Sequence, residues 1–88
     1  MNKLNFLLGE KRKIWLEITS TEGSAFLIRN AKYELKKHGK TEIEGSCQVV
    51  DHTIITTVQP QETGQYSLIY TYEIGGEILK EEVIIIVG

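Results

Sequence analysis

The residues of this chain most suited to binding a metal ion are two histidines and a single cysteine, His38, Cys47 and His52. Zinc sites are normally marked by short spacings such as CxxC or HxxxH, which bring the ligands together. None of these spacings occurs, since His38 lies in a lysine-flanked turn and Cys47 in a strand-like segment. We therefore predict two surface histidines, a buried cysteine, and no metal ion or other cofactor.

The residues that could act in catalysis are adjacent in sequence, which is the wrong geometry for them. Asp51 precedes His52, and Ser46 precedes Cys47. Neighbours on a strand point to opposite faces, so neither pair forms a nucleophile with its base. The chain has no GxSxG, HExxH or glycine-rich phosphate loop, and the spacing of its glutamates selects no carboxylate pair. We expect no catalytic residues and no enzymatic activity.

A basic run at Lys11, Arg12 and Lys13 lies just before Trp15, and it has two interpretations. Basic residues beside an aromatic ring can contact single-stranded nucleic acid. A charged run before a strand can instead solvate a sheet edge and prevent aggregation. The formal net charge of −2 predicts no strong attraction to nucleic acid or to anionic membranes, so we expect neither as a partner.

The distribution of charge along the chain is uneven. Nine Lys or Arg and six Glu precede residue 45, whereas one Lys and six acidic residues follow it. The folded domain could therefore have two differently charged faces that favour ordered association, or its charges could be interleaved over a solvated surface.

The elements that must position these residues are strands, because apolar and polar residues alternate along most of the chain. Ile14, Leu16 and Ile18 predict the buried face of one strand, with Trp15 on its opposite face. An outward Trp is either covered by a neighbouring loop or serves as an interface anchor. Further strands are predicted at residues 3–9, 31–37, 41–50, 52–58, 66–74 and 77–87.

The turns between these strands have specific residues. The segment His38-Gly39-Lys40 and the pair Gly75-Gly76 predict hairpin turns, because the favoured two-residue turns need positive φ. Gly45 lies within the strand predicted at residues 41–50, where we expect a bulge or a close approach of another group.

The stretch Glu62-Thr63-Gly64-Gln65-Tyr66 predicts a tyrosine corner. A tyrosine shortly after a tight turn can hydrogen-bond through its hydroxyl to the upstream backbone and brace the crossover between two sheets. Immunoglobulin domains often have Asp-x-Gly/Ala-x-Tyr-x-Cys here, and this chain has Glu62 for the Asp and Leu68 for the Cys. We predict that Tyr66 is structural.

The 88 residues make a single domain, residues 1–88, with no linker or repeat. Seven or eight short strands at steady intervals predict an all-β protein, an immunoglobulin-like antiparallel β-sandwich. Residues 1–8 form an extra strand or one exchanged between protomers. The predicted core consists of residues from four of the predicted strands: Leu16, Ile18, Tyr33, Leu35, Cys47, Leu68 and Tyr70.

The segment Val83-Ile84-Ile85-Ile86-Val87 has five apolar residues in a row, and they cannot all face one core. Either both faces of this strand are covered, or Ile84 and Ile86 contact another chain. The N-terminal segment LNFLL has the same character, so we expect association with other chains. Trp15, Ile84 and Ile86 are the candidate interface residues.

The single cysteine, Cys47, bears on the cellular compartment of the protein. It excludes an intrachain disulfide and suits a reducing environment. The N-terminal segment is a poor signal peptide and too short to cross a bilayer. We expect cytoplasmic synthesis without Sec secretion.

Residues 9–88 resemble the small immunoglobulin-like domains of phage and prophage structural proteins. They are similar to the N-terminal domain family of baseplate upper proteins of phages infecting Gram-positive bacteria. The matching features are a Gly-acidic step before the first long strand, an acidic-Gly turn, a Leu-to-Ala step and a late hairpin: Gly9-Glu10, Glu22-Gly23, Leu27 to Ala31, and Gly75-Gly76. The late Thr-x-Gly-x-Tyr step of the family is matched in part, at Thr63 to Tyr66. The chain departs from the family in having Glu where Asp is usual.

The resemblance implies a non-enzymatic structural or assembly protein of a tail, baseplate or head–tail junction. It also implies synthesis in the bacterial cytoplasm, followed by incorporation into a virion or phage-like particle. Its partners would be other phage structural proteins or further copies of itself, with a homo-oligomer as one outcome. The alternative is a module that binds a host cell-surface glycan, for which Trp15 and Tyr72 are the only aromatic pair we can nominate.

Overall fold

The computed structural model describes residues 2–19 and 26–88, and all regular elements in these ranges are β-strands. The strands are β1 (Asn2–Phe6), β2 (Arg12–Glu17), β3 (Arg29–Lys37), β4 (Lys40–Ser46), β5 (Gln48–Val50), β6 (Thr53–Val58), β7 (Gly64–Ile74) and β8 (Glu77–Val87). The turn expected at Glu22-Gly23 lies outside the described residues.

The strands form two sheets, with the order β1-β8-β7-β3-β4 in one and β2-β6-β5 in the other. The all-β class and the eight-stranded sandwich are therefore confirmed. In the immunoglobulin sandwich, strands G, F and C share one sheet and strands B, E and D the other, and β8, β7, β3 and β2, β6, β5 have the same distribution. All pairings but one are antiparallel; β1 runs parallel to β8.

The core lies between the sheets and follows the alternation of the central strand β7. Tyr66, Leu68, Tyr70 and Tyr72 all point inward and are buried. Of the predicted core residues, Ile18, Leu35, Leu68 and Tyr70 are buried, while Leu16, Tyr33 and Cys47 are partly buried and pack against the same cluster.

The predicted hairpin turns occur where expected, and their backbone explains their residues. Gly75 and Gly76 join β7 to β8 with φ values of 57° and 88°, which glycine adopts without a steric penalty. His38 and Gly39 join β3 to β4, also with positive φ.

The segment predicted as one strand over residues 41–50 is two strands in different sheets. β4 pairs with β3, β5 pairs with β6, and the chain crosses between them at Cys47, whose N–H donates to the carbonyl of Ala31 at 2.9 Å. Gly45 is a point of close approach, because a Cβ there would lie 3.2 Å from the Tyr33 ring.

The first strand pairs with the last strand of the same chain. β1 pairs with β8 over its whole length, and Phe6 is buried in the core. Backbone hydrogen bonds from Leu8 to the Gly88 carbonyl and from Gly88 to the Phe6 carbonyl hold its end in place.

Candidate interaction surface at the β2 edge

The structure places Tyr66 at a corner whose geometry suits bracing. Its ring is buried, and its hydroxyl accepts a hydrogen bond from the backbone N–H of Glu62 at 3.1 Å. The Lys37 ammonium lies 5.2 Å from the centre of the ring and donates to the Thr63 carbonyl at 2.7 Å. Tyr66 therefore fixes the turn before β7 and offers no surface to a ligand.

Trp15 has the opposite environment, because its side chain is 64% exposed on the outer face of β2. In the described part of the chain β2 pairs with β6 alone, so its other side is a free sheet edge. We call the free side of Arg12–Glu17 the β2 edge.

The direction of the backbone groups along the β2 edge follows from one hydrogen bond. The N–H of Ile18 donates to the His52 carbonyl at 2.8 Å, on the β6 side. Backbone groups alternate in direction along a strand, and the β2–β6 register has no shift. The N–H and C=O groups of Lys13, Trp15 and Glu17 therefore point away from β6, towards the free side.

A groove of about 400 Å³ runs between β1 and β2, where the two sheets are open at one side of the sandwich. Leu4, Ile14 and Leu16 are its partly buried apolar lining, and Lys3 and Lys13 are exposed beside it. The groove therefore combines an apolar surface with positive charge, directly beside the β2 edge.

Arg12 connects the two strands that flank this groove. Its guanidinium donates to the carbonyl of Asn5 at 2.7 Å and lies 4.5 Å from the centre of the Phe6 ring. The basic run thus divides into a structural arginine and two exposed lysines, Lys11 and Lys13. Sequence reasoning missed this contact because it requires β1 and β2 to be neighbours in different sheets, which no local pattern indicates.

The other two interface candidates are less accessible than expected. Ile84 is only 8% exposed, although it points away from the core on the outer face of its sheet. The strand register places it between Lys3 and Ser67, and Ile86 between Asn5 and Gln65. Strands on both sides of β8 thus cover Ile84 within one chain, which leaves Trp15 as the exposed member of the predicted set.

The aromatic pair nominated for glycan binding is not brought together. Tyr72 is 3% exposed and points into the core, whereas Trp15 points outward from the other sheet. Burial, followed by the charge of Glu81, raises the pKa of Tyr72 above its ordinary value.

The histidines and the cysteine are also separated. His52 stacks on Phe26 with ring centres 3.9 Å apart, and its Nε2 lies 3.1 Å from the Phe26 carbonyl oxygen. His38 is exposed at the β3–β4 turn. No group of three His, Cys, Asp or Glu side chains that could hold a metal ion occurs within residues 2–19 and 26–88.

Cys47 is partly buried next to Tyr70 and Thr56, at the crossover from one sheet to the other. Burial raises the pKa of the Cys47 thiol to about 11, although a hydrogen bond with Thr56 acts in the opposite direction. Burial also raises the pKa of Tyr70, whose hydroxyl is buried without a hydrogen-bond partner among the described residues. At neutral pH both groups are therefore uncharged.

Comparison of the chain with protein-family models, curated protein sequences and solved structures gave no match. Within the described residues no helix is long and apolar enough to cross a membrane. The function of the β2 edge is therefore inferred from its geometry.

Proposed function

We propose that this domain is a non-enzymatic structural module that acts by protein–protein association, with the β2 edge as its contact surface and Trp15 as the anchor. The observation that carries this proposal is a strand edge that no other described strand pairs with, with an exposed tryptophan beside an apolar groove.

Each part of this surface favours association for a separate physical reason. Unpaired N–H and C=O groups along a strand edge are a template for a further strand. Tryptophan is enriched among the residues that dominate binding energy, because it buries a large area with few rotatable bonds. The half-buried Ile14 and Leu16 would lose contact with water if a strand were added beside β2.

The setting we propose for this association is a phage or prophage particle, as a tail, baseplate or head–tail accessory component. Its support is the resemblance of residues 9–88 to small domains of phage structural proteins. The two-sheet sandwich and the corner at Tyr66 are compatible with that resemblance. The partners would be other structural proteins of the particle or a second copy of this chain.

Glycan recognition has less support than association. Sugar sites commonly use exposed aromatic side chains, and Tyr72 is buried on the far side of the core from the outer face that carries Trp15. We therefore keep the β2 edge as a protein-binding surface.

The test is the molar mass of the chain, measured by light scattering after size exclusion over a range of micromolar concentrations. We expect wild type to associate and Trp15→Ala to elute as a monomer. Ile78→Ala is the matched control, because Ile78 is 69% exposed but lies on β8, away from the β2 edge.

If neither wild type nor the control associates with itself, immobilised wild type and Trp15→Ala should be compared for capture of the other structural proteins of the particle. Equal behaviour of wild type and Trp15→Ala in both experiments would overturn the proposal.

A further inference from the structure

We propose that the partner of the β2 edge is a second copy of the same edge. The two β2 strands would pair antiparallel about a two-fold axis that passes between the two Trp15 residues. The two three-stranded sheets would then form one sheet of six strands, in the order β5-β6-β2-β2-β6-β5. This inference rests on the proposed association function and specifies its partner.

The sequence of β2 is self-complementary in the antiparallel sense. Around Trp15, the order is Lys13-Ile14-Trp15-Leu16-Glu17, with opposite charges at the two ends and apolar residues between them. Pairing centred on Trp15 places Lys13 opposite Glu17 of the second copy, twice by symmetry. It also places Ile14 opposite Leu16 and the two tryptophans opposite each other, and both opposite-charge and aromatic cross-strand pairs are stabilising.

The faces of the strand are consistent with this register. Residues directly opposite each other in an antiparallel pair lie on the same face. Lys13, Trp15 and Glu17 are exposed on the outer face, and Ile14 and Leu16 line the inner, groove side. All the favourable pairs therefore form on the correct sides of the joined sheet.

The directions of the backbone N–H and C=O groups of β2 are also consistent with the register centred on Trp15. The groups that point to the free side belong to Lys13, Trp15 and Glu17, as the Ile18 hydrogen bond to His52 requires. In the register centred on Trp15, these residues pair only with one another, so each pair can exchange two N–H to C=O hydrogen bonds. No backbone group on this part of the edge would remain without a partner.

A second edge strand of the same chain lacks this property. β4 (Lys40–Ser46) also has a free side within the described residues, and the backbone groups of Glu44 point to it, because Cys47 donates to Ala31 on the β3 side. The equivalent arrangement therefore centres on Glu44 and places it opposite Glu44 of the second copy. Like charges directly opposite each other are destabilising. Self-pairing is therefore expected at β2 and not at β4.

The two-fold arrangement also limits the assembly. An isologous contact uses the same patch on both chains, so it closes at two copies and leaves no free β2 edge. A contact of one strand edge lies at the small end of protein interfaces, so we expect a dimer that dissociates on dilution.

The test is charge reversal with rescue, using Lys13→Glu, Glu17→Lys and the double variant. Each single variant converts two attractive pairs into two repulsive ones, so we expect dimerisation to weaken by about tenfold or more. The double variant restores opposite charges and should dimerise like wild type. The two single variants, when mixed, should form a heterodimer, because one β2 edge is then acidic at both ends and the other is basic at both ends.

Association is measured by sedimentation velocity and by the fluorescence of Trp15, the only tryptophan in the chain. The emission should shift to longer wavelength as wild type is diluted, because the indole returns to water. Lys40→Glu, on the β4 edge, is the control that should leave the dimer unchanged, and circular dichroism checks that every variant is folded.

The outcomes separate this inference from the proposed function. If Trp15→Ala abolishes association but charge reversal has no effect or the double variant is not rescued, the β2 edge binds in another register or binds another protein, and the two-fold model is wrong. If Trp15→Ala has no effect on any association, the proposed function itself fails.

Discussion

Strands β7 and β2 have similar alternation of apolar and polar residues, yet their aromatic side chains have opposite environments. In β7 the three tyrosines Tyr66, Tyr70 and Tyr72 are buried, and the strand is paired on both sides by β8 and β3. In β2 the aromatic residue occupies the outer face, the strand is paired on one side only among the described strands, and Trp15 is exposed.

The comparison shows that the face of a strand and its position in the sheet together decide the environment of its aromatic residues. On a central strand, aromatic rings that face the second sheet contribute to stability through the area that they bury. On an edge strand, a ring on the outer face contributes little to folding and remains available to a partner. β7 is accordingly a stability element, and β2 is the strand to which the proposed function assigns recognition.

The largest difference in the free energy of unfolding is expected between Leu68→Ala in β7 and Leu16→Ala in β2. Leu68 is fully buried, so its truncation leaves a cavity and should lower the free energy of unfolding by about 2–5 kcal/mol. Leu16 is partly buried beside the groove, and its truncation should cost roughly 1–2 kcal/mol. Urea denaturation of dilute protein measures both, and equal losses would contradict the division of roles.

The tyrosine hydroxyls of β7 provide a finer test. Tyr66→Phe should lower the free energy of unfolding by about 1 kcal/mol, because the N–H of Glu62 loses its acceptor. Tyr70→Phe should be neutral or stabilising by up to about 1 kcal/mol, because it removes a buried hydroxyl that has no partner among the described residues.

Tyr66→Phe and Tyr70→Phe are controls for each other, since each removes one hydroxyl from a buried ring on the same strand. A loss for Tyr70→Phe as large as that for Tyr66→Phe would show that the Tyr70 hydroxyl is hydrogen-bonded in solution.

The crossover between the two sheets should be sensitive to pH through Cys47. Because burial raises the pKa of this thiol from 9.0 to about 11, its thiolate population near pH 8 should be about a hundredfold lower in the folded chain than in the unfolded chain. Alkylation by iodoacetamide should therefore be slow until the protein is unfolded by urea.

The same shift sets the direction of the stability change. The folded state holds the proton more tightly, so the stabilisation is complete below pH 9 and the free energy of unfolding falls as pH rises from about 9 to 11. The fall should be shallower in Cys47→Ala, although Tyr70 contributes in the same direction. An identical pH profile for this variant would exclude Cys47 as a source.

The smallest effect is expected for Trp15→Ala on the stability of the dissociated chain. An exposed side chain on an edge strand should change the free energy of unfolding by less than about 0.5 kcal/mol. Denaturation of dilute protein measures this, with Ile78→Ala as the matched exposed control. A loss above about 1 kcal/mol would mean that Trp15 supports the fold rather than a partner.

Much of the fold was predictable because it depends on local patterns. Alternation located most of the strands, the glycines located the hairpins, and the spacing from Glu62 to Tyr66 indicated the corner. The same alternation was misleading at Cys47, where one apparent strand crosses between two sheets. A change of sheet preserves the periodicity, so no pattern of side chains reveals it.

The candidate site was less predictable because it depends on which strands become neighbours. The position of Trp15 in the alternation of apolar and polar residues predicted that its side chain faces outward. The groove, in contrast, requires β1 and β2 to lie at the same side of the sandwich. The burial of Ile84 could not be predicted from its own segment, since Lys3 and Ser67 flank it from strands distant in sequence. Local periodicity predicts the face of the strand on which a side chain lies, whereas its exposure to solvent also depends on the order of the strands in the sheet.

The parallel pairing of β1 with β8 has a consequence for synthesis. A ribosome releases Asn2–Phe6 long before it has made Glu77–Val87, and β1 has no other strand partner in the described fold. The five-stranded sheet can therefore close only after translation of β8, and until then β1 is exposed in the nascent chain, whereas β2 can already pair with β6. The three cations at residues 11–13 would repel other nascent chains during this interval.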